Sequence, residues 1–372
     1  MLLFDFMKKI SFILKYLYKS LVQIFFRLLY GKVIYNKHNS YNKDIAIDKI
    51  INKNISKFDS SNYHIYKIVN GRIYTDYVEN VAIIHKNKIL DEVSYQQIAG
   101  ELKSSQFNSS TYKGTPYFKK KIKGSVLCLT QGASGHNNYF HWLFDILPKI
   151  KIYSEKYDLN ALDYFYLSKL KEFQKSSLKI LKLDNIKIID AKKYRHISSN
   201  EIFAVEHPWY FQGNILEQAK NLPSWIISWV RESFLESASE FNANEKIFID
   251  RSESRFEHCQ IQNNEEISSF LINKGFTPYK TGQLTFEQQI YLFKKAKIIV
   301  GAHGAAFANL AFCSPKTKVI EIKPLSHPNF VSKTISNIND LDIKIIETPK
   351  INVKSNIKGD IYLDLKELEK NL

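Results

Sequence analysis

The sequence predicts an α/β protein with two doubly wound, parallel-sheet domains facing each other over a cleft. Three observations predict it. Apolar runs of strand length alternate with helix-period segments from about residue 125. The alternation starts again near residue 245, giving a second βα set. The chain has 372 residues, 44% hydrophobic and 14% aromatic, which is too long for one ordinary core and suits two. The expected division is 1–33, 34–240 and 241–372.

Residues 1–30 predict an amphipathic helix. At about 100° per residue, Leu3, Phe6, Ile10, Ile13, Leu14, Leu17, Leu21, Ile24, Phe25 and Leu28 gather on one side. Lys8, Lys9, Lys15, Lys19 and Arg27 fall on the other and interrupt every window long enough to span a bilayer. No small-residue cleavage site follows, so a removed signal peptide is not expected. Such a helix suits an anionic membrane surface; the alternative is packing on the protein's own core.

Residues 34–60 are polar and read as a linker. A small β-rich entry follows. His64–Val69 and Arg72–Val78 flank Asn70-Gly71, a favoured two-residue hairpin turn, and a second turn is expected near Asn87. In the first βα set, Ser125–Thr130, Tyr164–Ser168, Ile186–Asp190 and Ile202–Val205 read as strands. Asn138–Tyr153, Leu170–Leu183 and Pro223–Glu236 read as helices. In the second set, Lys246–Asp250, Lys297–Val300 and Lys318–Ile322 are the strands. Helices run from Asn263, from the capping box Thr285/Gln288, over Ala306–Phe312 and over 360–371.

Composition narrows the function classes. The formal charge is +16, which invites nucleic acid, a membrane surface or a phosphorylated small molecule. The Lys, Ile, Asn, Tyr and Phe richness looks like coding bias, which inflates Lys without any partner. No zinc finger, RNP-like aromatic block or basic recognition helix supports nucleic acid. Cys128, Cys259 and Cys313 are far apart and form no CxxC, against a disulfide framework or thiolate zinc site; a reducing cytosolic compartment is expected. The basic residues are 47 Lys and only 6 Arg, so the placement of each Arg carries information.

Three constellations can carry chemistry. His141 and Asp145 are four apart on a predicted helix, hence on one face, where a carboxylate fixes an imidazole as a general base for a hydroxyl. His136 and Asn137, at the preceding turn, could reach the same space. The plain alternative is a pair that satisfies buried groups. Arg251 and Arg255 follow a strand, and guanidinium pairs bidentately with phosphate where Lys does not; a loop salt bridge to Glu253 or Glu257 is the alternative. Gly301-Ala-His303-Gly304-Ala305 lies between a buried strand and a helix start, where small residues and free N–H groups admit an anion. His303 could donate to the same phosphate, and Glu321 at the next strand could accept from a ribose hydroxyl. A tight turn without ligand is the alternative. Asp340-Leu-Asp342 reads as a solvated turn and not a metal site.

Together these blocks resemble glycosyltransferase family 61. The resembling stretches are His141-Trp-Leu-Phe-Asp145-Ile-Leu-Pro148, Ile249-Asp-Arg251, Leu284-Thr-Phe-Glu-Gln288 and Val300-Gly-Ala-His-Gly-Ala305 through Val319-Ile-Glu321, over about residues 60–325. Ala306-Phe307 stands where relatives often have Gly-Leu. The resemblance implies a GT-B fold and an inverting, metal-independent transfer from a nucleotide diphosphate sugar, with UDP favoured. It implies a glycan or lipid-linked acceptor in capsule or surface polysaccharide synthesis; the amphipathic terminus, which is not part of the shared core, adds the inner face of the membrane as the expected place. In that frame Arg251, Arg255, His303, Gly304 and Ala305 contact the diphosphate and Glu321 the nucleoside. His141 and Asp145 face the acceptor, with His136 and Asn137 beside them. A non-catalytic nucleotide- or lipid-binding module of an assembly complex is the competing reading.

Overall fold

The computed structural model describes residues 2–35, 44–51, 62–77, 80–98, 101–130, 138–209, 213–214, 220–252, 259–325, 327, 331–349, 351 and 359–372. The helix Leu2–Tyr30 opens the chain. The strands β1 (Ile45–Ile51), β2 (Asn62–Val69), β3 (Arg72–Tyr77), β4 (Asn80–His85) and β5 (Lys88–Ile89) come next. A small ribbon, β6 (Gln96–Ile98) and β7 (Glu101–Lys103), precedes β8 (Lys120–Cys128), β9 (Tyr164–Leu167), β10 (Lys187–Asp190) and β11 (His196–Val205). Then β12 (Gly213–Asn214) pairs β7. The last five are β13 (Lys246–Ile249), β14 (Thr277–Tyr279), β15 (Ile298–Ala302), β16 (Lys318–Pro324) and β17 (Asp342–Thr348).

The second sheet is parallel throughout, in the order β14-β13-β15-β16-β17. Its strands read as nearly continuous apolar runs because both faces are covered. The chain moves outward from β13 in both directions, so the topological switch point lies between β13 and β15. The first sheet is mixed. Its parallel part runs β10-β9-β8-β11, with a switch point between β8 and β11. An antiparallel extension of β2, β3, β4 and β5 joins it through β11.

Two expectations change here. The polar stretch 34–60 is not all linker, since β1 pairs in register with β2. The β-rich entry continues the first sheet through β11. Asn70-Gly71 does not turn a hairpin. β2 and β3 do not pair with each other but lie end to end along β11, with Ile65–Val69 opposite one half and Arg72–Tyr74 opposite the other. Asn70 takes φ 53° and kinks this long strand, and its N–H still bonds Asn200 O at 2.9 Å. The turn at Lys86-Asn87 does form a hairpin, with positive φ at both residues as a primed turn requires.

Strand alternation divides the core. On β8, Leu127 faces a central cluster while Val126 and Cys128 face the outer one. On β15, Ile299 faces the same central cluster while Val300 and Ala302 face the opposite outer one. The central cluster therefore joins the inner faces of both sheets, through helices Ser224–Phe234 and Phe286–Lys295 and the 3₁₀ segment Ala305–Phe312. The three cysteines are buried and form no disulfide with one another.

Among the residues of the amino-terminal helix whose side chains are described, from Ile10 on, the last turns pack on the body of the protein. Phe26 is buried and meets Phe118 edge-on at 5.0 Å; Tyr30 meets His196 at 4.9 Å. Ile13, Leu17, Leu21 and Phe25 stay exposed, as do Phe12 and Tyr16. Packing on the protein's own core thus holds for the base of the helix and not for the exposed residues from Ile10 to Leu17. Among the described residues no helix is long and apolar enough to cross a membrane.

Candidate active site

In doubly wound sheets, ligands sit outside the carboxyl ends of strands at the switch point. Both switch points of this protein carry the residues singled out from the sequence.

At the first, helix 139–154 leads from β8 to β9. Asn138 caps it, accepting from the N–H groups of Phe140 at 2.9 Å and His141 at 3.4 Å. Its middle, Trp142–Ile146, widens into a π-helical turn before the final α-helical turns. His141 Nδ1 lies 2.6 Å from Asp145 Oδ2. Asp145 is wholly buried and His141 partly exposed. Pro148 has no N–H to give to Phe144 O, and Trp209 Nε1 donates there instead at 3.0 Å. The same indole N–H reaches Asp145 Oδ1 at 3.0 Å. His207 Nε2 stands 3.5 Å from Asp145 Oδ2.

Burial alone would raise the Asp145 pKa, but His141 and His207 outweigh it and hold the carboxyl well below the usual carboxylate range. Burial pushes His207 down to about 4, against the pull of Asp145. Burial likewise lowers Lys149, wholly enclosed near Asp145, to about 8. An ionised Asp145 accepts the proton-bearing Nδ1 of His141. The lone pair is then on Nε2, the atom that can take a proton.

At the second switch point, β13 ends at Ile249 and the turn Asp250–Ser252 follows. Asp250 shapes that turn: its Oδ1 accepts from Ser252 N at 2.9 Å and Asn264 Nδ2 at 3.3 Å. Arg251 then lies across Gly304. A Cβ at Gly304 would fall 2.6 Å from the guanidinium carbon. Gly301 has a different reason. Its Cβ would fall 2.9 Å from Cβ of Ile249, its partner on β13, so this glycine serves sheet packing. Burial lowers the Arg251 pKa.

His303 Nδ1 lies 2.5 Å from Glu321 Oε1, and Ser332 Oγ donates to Glu321 Oε2 at 2.5 Å. This corrects the place expected for Glu321. The strand runs on to Pro324, so Glu321 is interior, fully buried and occupied on both oxygens. His303 and Ser332 are the partners of its two oxygens. Ala305 begins the 3₁₀ segment beyond Gly304. His136, Asn137 and Arg255 lie outside the described residues. Asp340 is exposed, has φ 56° and pairs Lys316 at 2.7 Å, as a solvated turn does.

The two switch points adjoin. Tyr139 Oη donates to Asn309 Oδ1 at 2.6 Å, and Asn309 Nδ2 donates to Gln289 Oε1 at 3.1 Å. The helix bearing His141 is thereby tied to the segment that starts at Ala305. Sequence reasoning missed Trp209, His207 and Tyr139. A signal existed for the first two: they follow a predicted strand directly, at its carboxyl end.

Residues 139–320 match the family model described as Glycosyltransferase 61. The matched span contains His141, Asp145, Arg251, His303 and Gly304. A search among curated proteins gave no match. Among solved structures, a flavo di-iron protein mutant from Thermotoga maritima aligns with 88% of this chain and 97% of its own at 8% identity. The TM-score is 0.23, too low to bear on fold or function.

Proposed function

This chain belongs to glycosyltransferase family 61, and from that premise we propose an inverting, metal-independent transfer from a nucleotide diphosphate sugar, UDP-sugars favoured. The acceptor is a hydroxyl of a glycan or lipid-linked glycan in capsule or surface polysaccharide synthesis. We read the architecture as GT-B, with an acceptor side over 34–240 and a donor side over 241–372.

One observation carries the reading: the His141–Asp145 contact of 2.6 Å beneath a buried, hydrogen-bonded carboxylate. Asp145 has one oxygen on His141 and the other on Trp209, so it positions the base and does not reach substrate. His141 Nε2 takes the acceptor hydroxyl proton as the acceptor oxygen attacks the anomeric carbon. The bond to the diphosphate breaks on the opposite side, and its electron pair leaves with the nucleoside diphosphate. Arg251, His303 and the N–H groups around Gly304 and Ala305 meet that charge, a role a divalent ion fills in other sites. Arg255 joins them, and His136 and Asn137 flank the acceptor.

The exposed apolar residues of helix Leu2–Tyr30 support docking on an anionic membrane at its cytoplasmic face. Removing residues 1–30 leaves transfer to a short soluble acceptor and abolishes binding to anionic vesicles.

A nucleotide panel tests the donor side. UDP, GDP, CMP and ADP are titrated by thermal shift, with and without EDTA. The reading expects a shift selective for one nucleotide, indifferent to EDTA and lost in Arg251→Ala. No shift with any nucleotide would overturn it.

A further inference from the structure

The membrane contact does not end with the helix. The apolar surface at its base runs on to the body of the protein. Phe118 is 74% exposed, yet its ring meets Phe25 at 6.4 Å and Phe26 at 5.0 Å. Leu28, at 83%, is the most exposed large apolar residue among those described in the helix. A strongly basic strand starts from the same point. Residues 111–124 hold five lysines and no acid. Lys119, Lys121 and Lys123 are exposed. Among the described residues no carboxylate lies within ion-pair distance of these three.

This shelf is fixed to the helix. Lys119 N donates to Tyr30 Oη at 2.9 Å, and its ammonium stands 5.2 Å from the Tyr30 ring centre. Arg27 donates to Tyr112 O. A Cβ at Gly114 would fall 3.2 Å from Arg27 Cγ, so the stem of Arg27 crosses that glycine closely.

We propose that Phe118 with Lys119, Lys121 and Lys123 forms a second bilayer contact, continuous with the helix, in which the ring enters the interface and the ammonium groups meet anionic headgroups. An exposed aromatic ring beside unpaired cations is what an anionic interface accommodates. The inference rests on the membrane reading of the helix and adds an orientation. A helix alone tethers the body; a second contact fixed to its base holds the body in one attitude toward the lipid carrying the acceptor.

Co-sedimentation of the full chain tests it, with vesicles of phosphatidylcholine alone and with added phosphatidylglycerol. Each lysine near a surface is worth about fivefold in binding, so Lys119→Gln/Lys121→Gln/Lys123→Gln together lower affinity for the anionic vesicles about a hundredfold. Phe118→Ser lowers it about tenfold on both vesicle types. Melting temperature and transfer to a short soluble acceptor stay unchanged in the triple variant, which keeps the Phe25–Phe26–Phe118 packing. If the unaltered chain ignores anionic vesicles, the membrane reading itself fails and this inference with it. If the unaltered chain binds and the triple variant binds equally well, the inference is overturned while the helix reading stands. Concentration-dependent self-association that buries Phe118 overturns it too.

Discussion

Arg251 lies so close over Gly304 that no side chain fits beneath it. A Cβ at that position would stand 2.6 Å from the guanidinium carbon. The glycine and the arginine come from the ends of adjacent parallel strands, β15 and β13. The missing Cβ of Gly304 is what leaves room for the guanidinium.

Gly304→Ala therefore acts by displacing Arg251. Its φ of 170° is extended backbone that alanine adopts readily, so the strain is steric and falls on the arginine. The expected result is nucleotide affinity about tenfold weaker or worse, since charge-assisted contacts are worth about 1.5–3 kcal/mol. Gly304→Ala/Arg251→Ala is no worse than Arg251→Ala alone, because both changes remove one interaction. Calorimetric titration of nucleotide into the three variants checks this; additive losses would show that the glycine has a separate role.

Trp209→Phe removes one N–H that serves two acceptors, Phe144 O and Asp145 Oδ1. Both acceptors are buried, so the loss costs about 1–3 kcal/mol of stability. It also frees Asp145 to rotate, and kcat falls about tenfold or more while nucleotide affinity holds. Denaturant titration and steady-state kinetics together check it. Unchanged kcat would separate Trp209 from the base.

Acid sensitivity follows from two buried histidines. His207 and His196 are both pushed down by burial, each to about 4. His196 Nδ1 also donates to Tyr117 O at 2.9 Å, which fixes the tautomer and pulls the pKa up against the larger effect of burial. Between about pH 6.5 and 4 the unfolded chain binds these protons and the folded one does not, so stability rises with pH across that window. It is fully present above about 6.5 and is lost as pH falls toward 4. Denaturation midpoints from pH 4 to 8 should show this slope, and His196→Gln should flatten it. A flat profile in the parent protein would contradict the burial argument.

Thr285 and Gln288 form a reciprocal cap. Thr285 Oγ1 accepts from Gln288 N at 3.2 Å, and Gln288 Oε1 accepts from Thr285 N at 3.0 Å. Thr285→Ala costs about 1 kcal/mol through the helix Phe286–Lys295, whose Phe286, Ile290 and Phe293 fill the central core. A midpoint shift without change in nucleotide affinity is the expected outcome.

Much of the candidate site's geometry was legible because its signals are local. The spacing of His141 and Asp145 places them on one helix face whatever the rest of the fold does. Arg251 stood out by its rarity in a lysine-rich chain, and the Thr285 cap is a matter of four residues. What the sequence hid depends on distant partners. Asn70-Gly71 is a strong local turn signal, yet β11 recruits both flanking strands along one edge and leaves only a kink. β1 was hidden because its alternation is weak and it is defined by its pairing with β2. Glu321 looked close to a strand end; three further paired residues follow it, and its oxygens meet His303 and Ser332. Trp209 is far in sequence from Asp145, and only the switch-point topology brings its indole beneath the helix that carries His141.

The central claim is that His141 acts as the base in sugar transfer. The most direct measurement is release of nucleoside diphosphate from a panel of nucleotide sugars, by the parent protein and by His141→Ala, with acceptor present. The account predicts turnover with one donor class, a loss of about 10²–10⁴ in kcat for His141→Ala, and unchanged donor affinity in that variant. Equal turnover in His141→Ala, or a folded protein that binds donor and never transfers it, would contradict the account.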